Sequence, residues 1–500
     1  MDYNIVANIL YGLGYKTVSS EYYNEQKRWL DWYQGTVKKF HKVMIDVGMN
    51  KRVEYNRFKA GMAQQVCQDW ADLLFNENVT ITLGNDKENE VMKAIFRYNN
   101  FHTKMNEMQE AKAAYGITAY IPHVTGAVID DCGSPTGQIA AIDIDYITGD
   151  CIFPLSWHNG TIRECCFATD YSDNTDNYVL LQLHVLADDG TYHILNKLYQ
   201  QENKVGMYVE QPLSLLPDFA NVQSEILTGT NRPQFVIDKM ALRTTTKDFD
   251  PMGIAVYAGA IDQLKSIDIA YDSYVNEFIL GKKRIMVKLG AMRDAYNDEP
   301  VFDTNDLVYY ALPEDGNLDN AFIKDIDMNL RAEQHSKGLQ DMLNMLSKRC
   351  GLGNRYYRFE EGNYTTATHV ISANSDLYRT IKKHEIPLGQ TITDLIRIIL
   401  HLANKYGNAG LNEDVEINVA FDDSVIEDKN SEFLRDMQML KAGVLDKWEI
   451  RKRYCGETEE EAKRNVPKEP EEVTEEDEDI KELEEEAETL NNDVKEEEKV

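Results

Sequence analysis

Apolar positions recur every three to four residues over several stretches, and each such stretch predicts a helix. Glu21 to Leu30 carries Tyr22, Tyr23 and Trp29, with Trp32 and Tyr33 directly after it and a basic patch at Lys38, Lys39 and Lys42. Arg57 to Phe75 places Phe58, Met62, Val66, Trp70 and Leu73/Leu74 at helical spacing. The period then shifts to two at Val79, Ile81 and Leu83, which predicts a short strand. Helices follow over Glu88 to Arg97 and Thr103 to Tyr115. From Ile117 to about Gln200 the pattern is that of a β meander, with hairpin turns at Asn159-Gly160 and Asp189-Gly190. No helices alternate with these strands, so the region reads as an antiparallel, helix-flanked sheet.

The pattern changes again at Asp250-Pro251 and Gly253, which read as a helix entry. Ile261, Leu264, Ile267, Tyr271, Tyr274/Val275 and Phe278 form one apolar stripe, with Asp262, Asp268, Asp272 and Glu277 off it. The predicted helix runs from Ile254 to Leu280 and is about 42 Å long. One small domain cannot cover a helix of that length, so neighbouring copies are expected to pack on it. Gly281-Lys282-Lys283-Arg284 ends it. A turn-rich excursion holds short strands at Arg284 to Leu289 and Leu307 to Ala311, with Phe302, Tyr309 and Tyr310 as its small core. A second helix spans Asn329 to Arg349, with a Met/Leu stripe over Leu339 to Leu346. A Gly/aromatic loop follows, and then a helix from Thr366 to Tyr406 that is interrupted or kinked at Pro387. Val415 to Ile426 reads as a strand, and Asp428 to Lys441 and Asp446 to Tyr454 as a helical pair turning at Gly443.

Composition alters this picture at one end. The chain has 500 residues and a net charge of −32. Glu457 to Val500 holds 21 acidic and 6 basic residues, a net of −15, and leaves −17 for the rest. That segment reads as a helical start and then a disordered acidic tail. Without a global basic excess, tight phosphate binding over a broad surface is not expected. The seven cysteines are scattered and form no CxxC pair, consistent with reduced thiols. The N-terminus has no basic region followed by an apolar run, so it does not read as a signal peptide. Apolar runs of about 18 residues are absent, so no membrane span is expected.

Catalytic and cofactor motifs are missing. There is no GxxxxGK[ST], no HExxH and no GxSxG. Gly351-Leu352-Gly353 follows a helix and lacks a third glycine, so it reads as a helix C-cap followed by a loop. Cys165 and Cys166 are strand neighbours on opposite faces and cannot serve one site. Asp143, Asp145 and Asp150 could be a carboxylate cluster for hydrolysis, or the solvent face of a strand and its turn. Lys282, Lys283 and Arg284 either cap a helix C-terminus or line a ring and touch a phosphate backbone. Arg355, Tyr356, Tyr357 and Arg358 mix cations with rings, which suits transient nucleic-acid contact or packing of the loop on its neighbours.

Three segments resemble the SPP1/A118-like family of tailed-bacteriophage portal proteins, found in phages and prophages of Gram-positive bacteria. FKAGMAQQVCQDWADLLFNENVTI (Phe58 to Ile81) resembles its early helix and turn. DPMGIAVYAGAIDQLKSIDIAYDSYVNEFILGKKRIMV (Asp250 to Val287) resembles its first stem helix. TTATHVISANSDLYRTIKKH (Thr365 to His384) resembles a later helix start.

The resemblance implies an α+β portal fold: a mixed α/β wing over 1–250, a stem helix over 251–284 and a small α/β clip over 285–327. A second stem helix over 328–350, a tunnel loop over 351–365 and a long helix over 366–410 follow. A helical crown over 411–456 and the acidic tail over 457–500 complete it. It implies a ring, a dodecamer, at one capsid vertex of the virion, assembled in the bacterial host cytoplasm. It further implies double-stranded DNA passing through the channel, with Lys282, Lys283, Arg284, Arg355, Tyr356, Tyr357 and Arg358 facing it. The clip, with Phe302, Tyr309 and Tyr310, would dock the terminase large subunit and the head–tail connector. Major capsid and scaffolding proteins complete the expected partners. No enzyme activity, cofactor, metal or membrane contact is implied. The competing readings are a carboxylate-dependent hydrolase using Asp143 or Asp145, and a minor head or adaptor protein.

Overall fold

The computed structural model describes residues 2–46, 52–128, 135–173, 176–202, 207–244, 246, 249–281, 284–288, 309–312, 323–326, 330–354, 356–358, 367–421, 429–455 and 459–466. The chain divides into two units, Met1–Ile426 and Glu427–Val500. In the first, six N-terminal helices and two short strand pairs precede the β region. The helices are α1 (Tyr3–Gly12), α2 (Ser20–Tyr33), α3 (Lys38–His41), α4 (Met62–Leu74), α5 (Asp86–Tyr98) and α6 (Phe101–Tyr115). Each has the period foreseen, and Trp70 on α4 and Tyr22 on α2 are fully buried. The hairpin of β1 (Lys42–Asp46) and β2 (Arg52–Asn56) was not foreseen.

The β region divides into two sheets, where the sequence pattern suggests one meander. β4 (Ile117–Thr125) lies between β5 (Ala141–Thr148) and β12 (Val236–Lys239). β6 (Ile152–His158), β7 (Thr161–Asp173), β8 (Asp176–Leu186), β9 (Tyr192–Glu202) and β10 (Met207–Gln211) form a separate antiparallel sheet in chain order, with β11 (Glu225–Leu227) added to β9. Asn159 and Gly160 both take positive φ, 50° and 76°, which is what a two-residue hairpin turn between β6 and β7 requires.

The break between sheets has a local cause: β4 is wanted by β12, which arrives from more than a hundred residues away. A buried polar cluster fixes that pairing. Lys112 Nζ on α6 lies 3.1 Å from both carboxylate oxygens of Asp238 on β12. Gln109 and the Tyr120 hydroxyl also donate to Asp238. Removing one member of such a buried pair costs about 3–5 kcal/mol, because the other charge is left uncompensated.

α7 (Ile261–Leu280) begins seven residues later than the sequence pattern predicts. Residues 253–257 are spent on α6 instead. Val256 N–H donates to Ala113 O, and the Tyr22 hydroxyl donates to Gly253 O. The two backbones cross at Gly253 and Gly116 so closely that a Cβ on Gly253 would sit 2.0 Å from Gly116 O. The 20-residue helix is therefore about 30 Å long, not 42 Å.

β13 (Arg284–Lys288) pairs parallel with β14 (Tyr309–Leu312) and antiparallel with β15 (Ile323–Ile326). α8 (Ala332–Arg349) follows. α9 (Ala367–Gly407) runs through Pro387 as one assigned helix and packs on β4 and β12. β16 (Ile417–Ala420) pairs antiparallel with β3 (Thr80–Leu83). The chain after Leu411, expected to open the crown, thus first returns to the N-terminal region. The second unit holds α10 (Lys429–Lys441), α11 (Lys447–Cys455) and α12 (Glu459–Arg464). There the Asp436 carboxylate accepts from Arg453 and Tyr454. Most of the predicted acidic tail, from residue 467 on, lies outside the described residues.

Candidate functional site

α7 and α8 form an antiparallel pair. At one end Arg331 grips Glu277 with two guanidinium bonds, 2.8 and 3.0 Å, and at the other Arg349 donates to Gly259 O. Those bonds hold the Glu277 carboxyl down at about 2. His335 stacks on Tyr274 and lies 3.6 Å from Glu277. The apolar stripe of α7 is buried at Ile261, Leu264 and Ile267, then emerges until Phe278 is exposed.

The polar face of α7 is not free. Asp268 accepts from Ala60 N–H and pairs with His41 at 2.9 Å, and is itself buried. Asp272 accepts from the Tyr55 hydroxyl at 2.6 Å and from Phe58 N–H at 2.9 Å. Asn276 donates to the same hydroxyl. These side chains bind the β1–β2 hairpin to the helix. Their spacing of four along one face is visible in the sequence, but a solvent-facing acidic stripe has the same spacing.

α8 ends as its glycines suggest. Gly351, with φ of 81°, donates to Lys348 O, and Leu352 N–H donates to Ser347 O, the paired bonds of a Schellman cap. Among the residues of the following loop, Arg355 lies outside the described residues. Tyr357 is drawn inward: its hydroxyl donates to Asp69 on α4, and Gln340 on α8 donates to its carbonyl. Burial and the Asp69 carboxylate both push its phenol well above the ordinary value. Tyr356 meets the Tyr357 ring edge-on at 5.1 Å and is partly exposed, as is Arg358.

Lys282, Lys283 and Phe302 lie outside the described residues. Arg284 opens β13, where its backbone is in register with Ile326. Tyr309 and Tyr310 are adjacent on β14, in register with Ile285 and Met286. As neighbours in a strand they point to opposite faces, so at most one serves a given docking surface.

The carboxylates weighed as a hydrolytic cluster sit on paired strands. Thr125 donates to Asp143, and His123 lies 3.3 Å from Asp145, all on one face of β4–β5. Asp150 accepts from Thr148 in the turn beyond. They do not line the described cavity of about 910 Å³, which lies between α9 and the segment entering β12, beside Gln234 and Arg397. Among the described residues no three metal-ligating side chains come together, and no helix is long and apolar enough to cross a membrane.

Two antiparallel helices bracketing a small mixed sheet, and a loop handed from the second helix to a third, are the parts that the resemblance implies. The family model for phage portal proteins of the SPP1 Gp6-like type matches residues 15–493. The chain belongs to that family. It is thus a structural bacteriophage protein of the capsid vertex, acting in genome packaging, in a family that assembles as rings of identical chains. A comparison with curated proteins gave no match. In this portal chain, α7 and α8 correspond in order and position to the expected stem, and β13–β15 to the expected clip.

Proposed function

We propose that this portal protein forms a ring, a dodecamer, whose channel conducts double-stranded DNA during packaging, retention and ejection. The observation that carries this reading is the stem pair with its excursion. α7 and α8 are tied at both ends by arginine, and the three-stranded sheet hangs from one end. Such a unit can transmit force along the channel axis without unravelling. The sheet of β13–β15 is the surface offered to the terminase large subunit and the head–tail connector, with Phe302, Tyr309 and Tyr310 supplying apolar contacts. Capsid and scaffolding proteins meet the outer region. Lys282, Lys283, Arg284, Arg355, Tyr356 and Arg358 are the candidates to face DNA. Tyr357, tied to Asp69, supports the loop from behind rather than reaching into the channel.

Rings with a central channel are expected in electron micrographs of the purified chain. Lys283→Ala and Arg355→Ala are expected to keep the rings and to lower the packaged DNA per particle. Monomers alone at micromolar concentration would refute the ring, and unaltered packaging would remove these two cations from the channel.

A further inference from the structure

The β1–β2 hairpin has one apolar and one polar face. Its register pairs Val43 with Tyr55 and Ile45 with Val53 on one face. On the other it pairs Lys42 with Asn56, Met44 with Glu54 and Asp46 with Arg52, and a Lys42–Glu54 ion pair crosses that face. The root of the apolar face is covered, because Tyr55 is held by Asp272 and Asn276 of α7. Beyond that anchor the cover stops. Ile45 and Val53 are 42% and 43% exposed, and Ile279 is 44% exposed. Ile279 lies eleven residues from Asp268 and seven from Asp272, which places it on the face of α7 that carries the hairpin anchors. Hairpin and helix are thus pinned at one end, with an apolar cleft between their free ends.

A two-stranded ribbon with an uncovered apolar face is marginal by itself in water. Apolar exposure is also concentrated in this part of the molecule. Among the described residues, Met44, Ile45, Val53, Ile269, Phe278, Ile279, Leu330 and Met345 are large, apolar and exposed, and all lie on the hairpin or the stem. Met345 is 59% exposed and sits on α8 well away from the buried stripe of Leu339, Leu343 and Leu346. The chain therefore carries two different uncovered apolar surfaces, a cleft and a knob. A heterologous contact that closes a ring needs that asymmetry, since each copy must offer one surface and receive the other.

We propose that the β1–β2 hairpin is an arm that grips the next copy of this chain, the cleft formed by Ile45, Val53 and Ile279 receiving the α8 flank that bears Met345. This rests on the ring reading above. The arm is anchored on α7 by buried or charged bonds, so a load on one copy's stem passes to the next through the Asp268 and Asp272 anchors.

The test is a pair of cysteines, Ile45→Cys with Met345→Cys, in the full chain, treated with a short bis-maleimide and run on a denaturing gel. Wild type and each single variant give the background from native cysteines. A ladder extending beyond the dimer, in the double variant alone, is the expected result. Intact rings with no ladder would overturn the arm and leave the ring reading standing, whereas absence of rings in the wild type would remove both. A product that stops at the dimer would mean a two-fold contact and also overturn it. Independently, Ile45→Asp with Val53→Asp should lower the ring fraction at least about tenfold, with the monomer's circular dichroism unchanged. Rings at wild-type yield from that variant would show that the apolar face serves another protein.

Discussion

His184 shows what a single side chain can reveal about the β region. Its ring is fully buried on β8 between Phe167 and Phe235, 5.4 and 5.3 Å away, and neither ring nitrogen has a hydrogen-bond partner. Burial lowers its pKa from 6.5 to about 3. The unfolded chain therefore takes up a proton near pH 6.5 that the folded chain refuses until about pH 3. Stability falls as pH drops through that window. His184→Phe should stabilise the chain by about 1–3 kcal/mol at pH 8, where only the unmet polar atoms matter. At pH 5 the gain should be larger by about 2 kcal/mol. Urea unfolding at both pH values measures the difference, and an equal gain at each would mean that the ring is not held neutral. Side chains also show where sequence reading stops. Arg355 to Arg358 read as one string, yet Tyr357 is claimed by Asp69, 288 residues away, and Lys112 by Asp238. Such pairings have no local signature.

Elements with a strong period were legible, and their ends were legible where the cap is local. The Schellman cap at Gly351 follows from the glycines themselves. The start of α7 did not, because Ile254, Tyr257 and Ile261 continue a helical period that the chain does not use. Its true start is set by the crossing of Gly253 with Gly116, a contact between segments remote in sequence. The return of β16 to β3, and the capture of β4 by β12, were hidden for the same reason. Gly253→Ala tests this account. The added methyl would overlap a backbone carbonyl, which no rotamer change relieves. A loss of more than about 3 kcal/mol is expected, as for other steric intrusions into packed cores. Gly338→Ala is the control. That position is inside α8 with no atom within 4 Å of the new methyl, so a gain of roughly 0.5–1 kcal/mol is expected. Urea midpoints for the two variants should move in opposite directions; if both fall equally, the crossing is not what positions α7.

At the scale of the whole molecule, the charge balance limits how the chain can treat DNA. There are 53 basic and 85 acidic residues, and the last 44 residues hold a net of −15. A channel that bound its cargo through many phosphates would hold it, since each neutralised phosphate adds affinity and friction. The ring, by contrast, should touch DNA through a few cations per copy, supplied by the stem exit and the loop. Affinity for a duplex should therefore be weak and only mildly salt-dependent. Titrating a fluorescent duplex with purified rings between 50 and 200 mM salt gives the slope of log affinity against log salt. A magnitude below about 5, equivalent to fewer than about six phosphates, is expected, and Lys283→Ala with Arg355→Ala should flatten it further. A slope near −9, about ten phosphates, would mean that the channel clamps DNA, and passage would then need the cations to be withdrawn as the duplex advances. Few contacts also fit a stem built as this one is. Its basic ends Arg331 and Arg349 are spent on Glu277 and Gly259 within the chain, so the charges that stiffen the stem are not the ones that meet the DNA.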